Sequence, residues 1–415
     1  MKHRYYLSSP GILNALGSGV REVSQRLMAG DASGMVIEAG LLGNDSSGKP
    51  LPAKLGRVSA ALPLISDAFS SFDCRSNQML LAVLTQIEET VQSVIQTYGS
   101  QRIGVVLGGS TSGIAEGVAA VTTWHSTGAL PASYRYSQQQ LGGSATFLTQ
   151  YLGLGGPAYV ISTACTSSAK AMASARNLLK CGVCDAVIVG GVDSLSALTV
   201  QGFAALDSLS PLLCNPMSAH RSGINIGEGA VLFVMTKDRP LADTRAGTLP
   251  SIELLGIGET SDAHHMSAPQ PEGRGAEAAM REALLDAGLQ SCDVDYLNLH
   301  ATATPLNDAM ESLAVARLFP PTAKHPRGVP CSGTKPLTGH LLGTAGATEI
   351  VFCQIALATQ QLPPHVWDGT RDAALPELNL ARPSAQKWIS ICMSNSFAFG
   401  GNNASVIVGL PLEHG

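Results

Sequence analysis

Short apolar, β-branched runs recur along the chain with helical patterns between them. That alternation predicts an α/β architecture with mostly parallel strands. Strands are expected at 103–107, 158–162, 186–190 and 231–235, then at 252–257, 296–300, 389–393 and 405–408. The helical patterns are of two kinds. Ala276, Ala279, Met280, Ala283, Leu284 and Ala287 share one face, charged residues occupy the other, and Gly288 stands where that helix would stop. Residues 343–358 are instead apolar almost all round, which predicts a helix buried between layers. The polar segment 237–250 contains Pro240 and Pro250 and divides the chain into comparable halves, 1–245 and 246–415. Residues 362–387 are rich in turn formers and are expected to run over the surface.

Composition narrows the class. The 415 residues are 45% hydrophobic, which supports a large core and excludes wholesale disorder. Only 14% are charged, against roughly 25% in ordinary soluble domains. Part of so sparsely charged a surface is expected to be hidden in an oligomer, although Ser, Thr and Gln can also supply polarity. The net charge of −5 provides no global basic field for nucleic acid. No apolar run reaches the ~18 residues of a membrane span. The positively charged start breaks at Ser8-Ser9-Pro10, unlike a signal peptide. Nine scattered cysteines read as reduced thiols of a cytoplasmic protein.

One cysteine occupies a chemically useful position. In Ser162-Thr163-Ala164-Cys165-Thr166-Ser167-Ser168 a strand gives way to a small-residue helix running from about 167 to 180. Cys165 therefore lies beside the first free N–H groups of that helix, which favour a thiolate and lower a thiol pKa. A packed structural cysteine is the competing reading. His300 closes an apolar strand, and His340 sits in Gly-rich Gly333-Thr334-Lys335-Pro336-Leu337-Thr338-Gly339-His340 before the buried helix. Ends of parallel strands are where α/β folds build active sites. Glu349 falls inside the apolar helix, where an unpaired carboxylate is costly, so it needs a partner. Lys335 is the candidate, with Asp308 and Glu311 nearby in sequence after His300; these groups are expected to scaffold and tune the histidines. Three signals are set aside. Cys181 and Cys184 form a CxxC that follows a helix rather than opening one, His264-His265 has no third ligand nearby, and the 108–113 turn lacks a phosphate-loop ending.

Together these segments resemble the elongating β-ketoacyl-acyl-carrier-protein synthases of the thiolase superfamily. The matches are the Cys165 segment, His300-Ala-Thr-Ala-Thr304 with Asp308 and Glu311, Lys335 through His340 to Glu349, Arg221-Ser-Gly-Ile-Asn-Ile-Gly-Glu-Gly229, and Ser394-Asn-Ser-Phe-Ala-Phe-Gly-Gly-Asn-Asn403. The resemblance implies a five-layered αβαβα fold of two pseudo-equivalent halves. It implies that Cys165 takes an acyl chain from acyl carrier protein, with the backbone N–H groups of Cys165 and Phe399 as oxyanion hole. His300 and His340 would stabilise the enolate left by malonyl decarboxylation, Lys335 would complete the catalytic set, and Thr302 and Thr304 would hold the pantetheine arm. It further implies no metal, nucleotide or redox cofactor, and a homodimer or a heterodimer with a chain-length-factor-like subunit. Four positions depart from the family pattern: Ala301 and Ala398 stand where glycine is usual, Asn402 where threonine is, and Met217 where phenylalanine is. These changes leave substrate length open and suggest polyene or polyketide assembly rather than bulk fatty-acid synthesis.

Other readings stand beside this one. A thiolase would use a second cysteine and a priming-type synthase a His/Asn pair, and His340 argues against both. A Cys/His hydrolase fits the chemistry but leaves the second histidine and the Lys335–Glu349 segment unexplained. A non-catalytic chain-length factor would lack the nucleophile, and Cys165 discriminates against it.

Overall fold

The computed structural model describes residues 3–237, 247–382 and 388–411. The boundary placed between residues 245 and 246 lies outside the described residues.

All eight expected strands form. Among the described residues thirteen strands make one sheet, and Tyr6–Leu7 links its halves by pairing with both Gly229–Thr236 and Ile252–Ser261. On one side the order is Ala158–Ile161, Ile103–Gly108, Ala186–Asp193, Gly229–Thr236 and Gly11–Asn14. On the other it is Pro330–Ser332, Tyr296–Asn298, Ile391–Ala398, Asn402–Gly409 and Ile252–Ser261. In both, the first three strands are parallel and the next two pairings are antiparallel. The pseudo-equivalence of the halves is thus visible in strand order alone.

The sheet is therefore mixed, which corrects the expectation of mostly parallel strands. Connection length explains the difference. Ile391–Ala398 and Asn402–Gly409 are joined only by the 3₁₀ turn Phe399–Gly401, which is too short for a crossover. Parallel neighbours are each separated by helices. A two-stranded sheet, Met35–Asn44 with Pro50–Gly56, stands apart and was not foreseen.

Strand side chains alternate between two cores because successive residues face opposite sides. Val187, Val189, Val231, Phe233, Val406 and Val408 join a central cluster, whereas Ile188, Leu232 and Val234 face an outer one. The central cluster contains Ser167–Lys180 and Ala345–Thr359, the two helices sandwiched between the sheet halves. Arg75–Gln86 and Gly143–Leu152 cover one outer face, and Arg274–Ala287 and Pro305–Leu318 the other. These are the five expected layers. Ala345–Thr359 is apolar all round because it has sheet on both sides. The stretch Leu342–Thr359 has the length and hydropathy of a membrane span, yet 89% of it is buried inside the protein.

The segment beginning at Leu362 does not lie wholly on the surface. Residues 362–365 are buried. Leu362 joins the central core, and the His365 ring accepts from Gly333 N–H and meets the Pro216 carbonyl. Residues beyond are largely accessible, and 383–387 fall outside the described set.

Candidate active site

Three separate chain segments bring the predicted residues together. Cys165 follows the strand Ala158–Ile161 through an elbow in which Ala164 adopts φ 54°, a conformation costly for a residue with a side chain. Local hydroxyls hold it there: Thr163 N–H donates to Ser167 Oγ (2.9 Å), and the Ser167 and Thr166 hydroxyls donate to the Ala164 and Thr163 carbonyls. The helix Ser167–Lys180 then begins two residues after the sulfur. This explains the run of small hydroxyl residues around the cysteine.

His340 is fixed from both sides by the motif that starts at Arg221. Its N–H donates to the Asn225 carbonyl at 2.7 Å, and its carbonyl accepts from Gly227 N–H at 3.0 Å. A methyl group at Gly227 would lie 2.1 Å from the Thr338 carbonyl oxygen, so glycine is required for this approach. Arg221 itself pairs with Asp372, and Glu228 is buried against Arg75.

His300 follows Tyr296–Asn298, and its backbone is gripped from the helix Pro305–Leu318. Glu311 accepts the N–H groups of His300 and Ala301, one on each oxygen, both at 2.7 Å. Asp308 accepts from Ala303 N–H (3.1 Å) and Met217 N–H (2.8 Å). Ala301 and Ala303 have φ of 40° and 61°, so these carboxylates hold a backbone that alanine does not favour. Neither acid has an ion pair among the described residues. Lys335 pairs instead with Glu349 at 2.6 Å. Its ammonium also donates to the His300 carbonyl and lies 3.4 Å from His300 Nδ1. An ammonium can only donate, so Nδ1 accepts and the His300 proton sits on Nε2.

The reactive atoms converge. His340 Nε2 is 2.9 Å from Cys165 Sγ, and the donor atoms of Cys165, His300 and His340 all lie within 4.8 Å of one another. The two imidazoles meet edge to face with centroids 5.4 Å apart. Such a trio could reach one ion, but the Lys335 ammonium beside it favours an anion there over a second cation.

Burial dominates the electrostatics. It pushes the Cys165 thiol up to about 12, although Lys335 pulls the other way. The expectation of a lowered thiol is therefore overturned. Desolvation in this closed pocket outweighs the helix start, so ionisation needs a proton acceptor at hand. His340 is that acceptor: burial and Lys335 hold it well below the usual histidine range, and burial likewise depresses His300. Burial raises Glu349 to about 6 against the pull of Lys335.

A cavity of about 270 Å³ reaches the trio. Thr302 and Thr304 line it with hydroxyls 2.9 Å apart. Phe399 also lines it and stacks on Phe203, with centroids 5.7 Å apart at 29°. Sequence reasoning missed Asp193 and Phe397. Asp193 is wholly buried and accepts from the N–H and hydroxyl of both Thr111 and Thr344 and from Ser110 N–H, tying the turn after Ile103–Gly108 to the start of Ala345–Thr359. Phe397 lies edge-on to His300. Nothing in their local sequence marks either, because their partners are remote. Cys181 is exposed while Cys184 is buried, and His264 and His265 lie on an exposed loop.

Comparison with known proteins agrees with this geometry. Residues 61–239 match the N-terminal domain and 252–367 the C-terminal domain of β-ketoacyl synthases. The structure superposes with TM-score 0.89 on a chain of the complex between a ketosynthase and its chain length factor from Xenorhabdus doucetiae, 43% identical, covering 99% of this chain and 98% of that one. Nodulation protein E of Rhizobium meliloti is 37% identical over 63% of this chain and 64% of its own length. The 3-oxoacyl-[acyl-carrier-protein] synthase 2 of Staphylococcus aureus is 35% identical over 62% and 64%. The matches thus span a little under two thirds of these curated relatives. The chain belongs to the β-ketoacyl synthase family.

Proposed function

We propose that this chain is a catalytic β-ketoacyl-acyl-carrier-protein synthase, condensing a Cys165-bound acyl group with malonyl thioester. The observation that carries the reading is the 2.9 Å approach of His340 Nε2 to Cys165 Sγ, with His300 on the same locus. The Cys165 proton passes to His340 Nε2 as sulfur attacks the acyl thioester. The tetrahedral oxyanion is held by the backbone N–H groups of Cys165 and Phe399, and the departing carrier thiolate takes a proton from water, so that His340 keeps the Cys165 proton on Nε2. Malonyl thioester then enters along Thr302 and Thr304 and loses carbon dioxide. Its enolate oxygen accepts N–H bonds from His300 Nε2 and His340 Nε2. The enolate carbon attacks the acyl carbonyl, forming the carbon–carbon bond and expelling the Cys165 thiolate, which takes its proton back from His340 Nε2. Lys335, pinned between Glu349 and His300, keeps His300 in the donating tautomer. The scheme uses no metal, nucleotide or redox cofactor.

The partners are acyl carrier protein and a second subunit, identical or of the chain-length-factor type. The exposed apolar residues Val121, Trp124, Leu130, Tyr136 and Leu141 support a covered surface in the working assembly, and among the described residues Ala158–Ile161 ends the strand order unpaired on its outer side. A polyene or polyketide pathway is the proposed setting. The second reading, a chain-length-factor role, draws on the two-subunit neighbour, but such a subunit has no use for a cysteine held against a histidine.

Intact-protein mass spectrometry with acyl-carrier thioesters tests the assignment. Wild type is expected to gain one acyl group that maps to Cys165, and Cys165→Ala to gain none. His300→Ala and His340→Ala are expected to cripple malonyl decarboxylation while leaving acylation partly intact. Undiminished acyl-enzyme in Cys165→Ala would refute the catalytic reading, and an unacylated wild type would favour the chain-length-factor reading.

A further inference from the structure

Phe399, in the turn Phe399–Gly401, lines the cavity that reaches Cys165, and the cysteine is only 7% exposed. Gly400 and Gly401 adopt φ of 79° and 73°, so the turn is built from residues that cross conformations at little steric cost. Two of its ties run to the neighbouring loop: Gly400 N–H donates to the Met266 carbonyl, and the Gly401 carbonyl accepts from Asp262 N–H, both at 2.8 Å. That loop also lines the cavity through Asp262, Ser267, Ala268 and Pro269. Ties of this kind let the loop and the turn move as one.

A third tie is different. Lys170 Nζ donates to Asn402 Oδ1 at 3.0 Å, and the lysine side chain is only 18% exposed. Lys170 stands in the first turn of Ser167–Lys180, the helix that begins beside the nucleophile. Among the described residues, it is the polar partner that joins residues 399–402 to this helix. Asn402 opens the strand Asn402–Gly409, and the other partner of Lys170, Glu259 Oε1, is farther away at 4.0 Å on the neighbouring strand. Asn402 is one of the positions where this chain departs from the pattern it resembles, where threonine is usual. A threonine side chain is shorter and lacks the amide oxygen that reaches the ammonium here.

We infer that Lys170 is a positioning residue that latches the Phe399 turn closed over Cys165 through the Asn402 side chain. The inference rests on the ketosynthase reading for its biological use, since a latch matters where a tethered acyl chain must pass the turn. Its physical content is independent of that reading: breaking the charge-assisted hydrogen bond releases the turn and opens the cavity to bulky molecules.

The test compares alkylation of Cys165 by iodoacetamide and by the bulky N-(1-pyrenyl)maleimide, read by peptide mass mapping so that exposed Cys181 and Cys292 do not count. In Lys170→Met the ratio of bulky to small reagent rate is expected to rise about tenfold, as loss of one charge-assisted hydrogen bond implies. Lys170→Arg is expected to stay near the wild-type ratio. Asn402→Ala should reproduce Lys170→Met, and the double variant should exceed neither single one. A ratio unchanged in both single variants, or additive effects in the double, overturns the latch. Asn402→Ala carries the test alone where Lys170→Met fails to fold. Acylation by carrier thioesters in the same samples tells failure of the latch from failure of the ketosynthase reading.

Discussion

His300, His340 and His365 are all buried, yet they differ in what holds their ring nitrogens. His300 receives an ammonium on Nδ1, and His340 faces a thiol while its Nδ1 has no partner among the described residues. His365 is saturated: Nδ1 accepts from Gly333 and Nε2 donates to the Pro216 carbonyl. A protonated His365 would lose the Gly333 bond, and burial holds its pKa down to about 4. The folded ring stays neutral while the unfolded ring charges near its ordinary 6.5. Stability present above pH 6.5 is therefore lost as pH falls toward 4, by roughly 3 kcal/mol if this group acted alone. Asparagine can still accept from Gly333 but does not titrate. The stability advantage of wild type over His365→Asn, measured by urea unfolding, is expected to shrink across that window. A constant advantage would assign the pH dependence elsewhere. The individual chemical groups were legible in sequence at Cys165, His300 and His340. The protonation state of the thiol was not, because it depends on burial by segments far away along the chain.

Between elements, the helix Pro305–Leu318 shows how a scaffold reaches the chemistry through backbone groups. Its Glu311 is fully buried and supplies one oxygen to each of two N–H groups that precede and follow the His300 side chain. Glutamine at 311 has only one acceptor oxygen, so Glu311→Gln strands a buried N–H at a cost of about 1–3 kcal/mol. Thermal unfolding is expected to show that loss. Malonyl decarboxylation, which needs His300 in place, is expected to fall more than acylation of Cys165. Equal losses in the two half-reactions would mean that Glu311 supports the fold and not His300. The sequence marked Asp308 and Glu311 as charged residues beside a site but suggested an ion-pair network. They are acceptors for backbone instead, because residues 300–303 turn away from strand geometry and leave N–H groups without a ladder.

On the scale of the molecule, the central layer is what makes two similar halves one site. Ser167–Lys180 carries the nucleophile at its start, Ala345–Thr359 follows His340, and the two helices share one core with strands from both halves. Phe352 lies in that core with no exposed surface. Phe352→Ala is expected to cost about 3–5 kcal/mol. Denaturant unfolding should remain a single transition at a lower midpoint, since the halves share their interior. A second transition would show that the halves unfold separately.

Periodicity determined much of this by itself: the eight strands, the one-sided helix at Arg274–Ala287 and the all-round apolar helix each follow from how their residues partition between water and core. The order of motifs was likewise enough to name the candidate residues. Tertiary structure alone decided which strands run antiparallel, since that rests on how short connections meet across the sheet. It also decided that Asp193 fastens Thr111 to Thr344 and that Lys170 reaches Asn402. These contacts join residues from 82 to 232 positions apart. Local pattern records the preference of each residue for its own surroundings, and it holds no record of which distant surface will supply them.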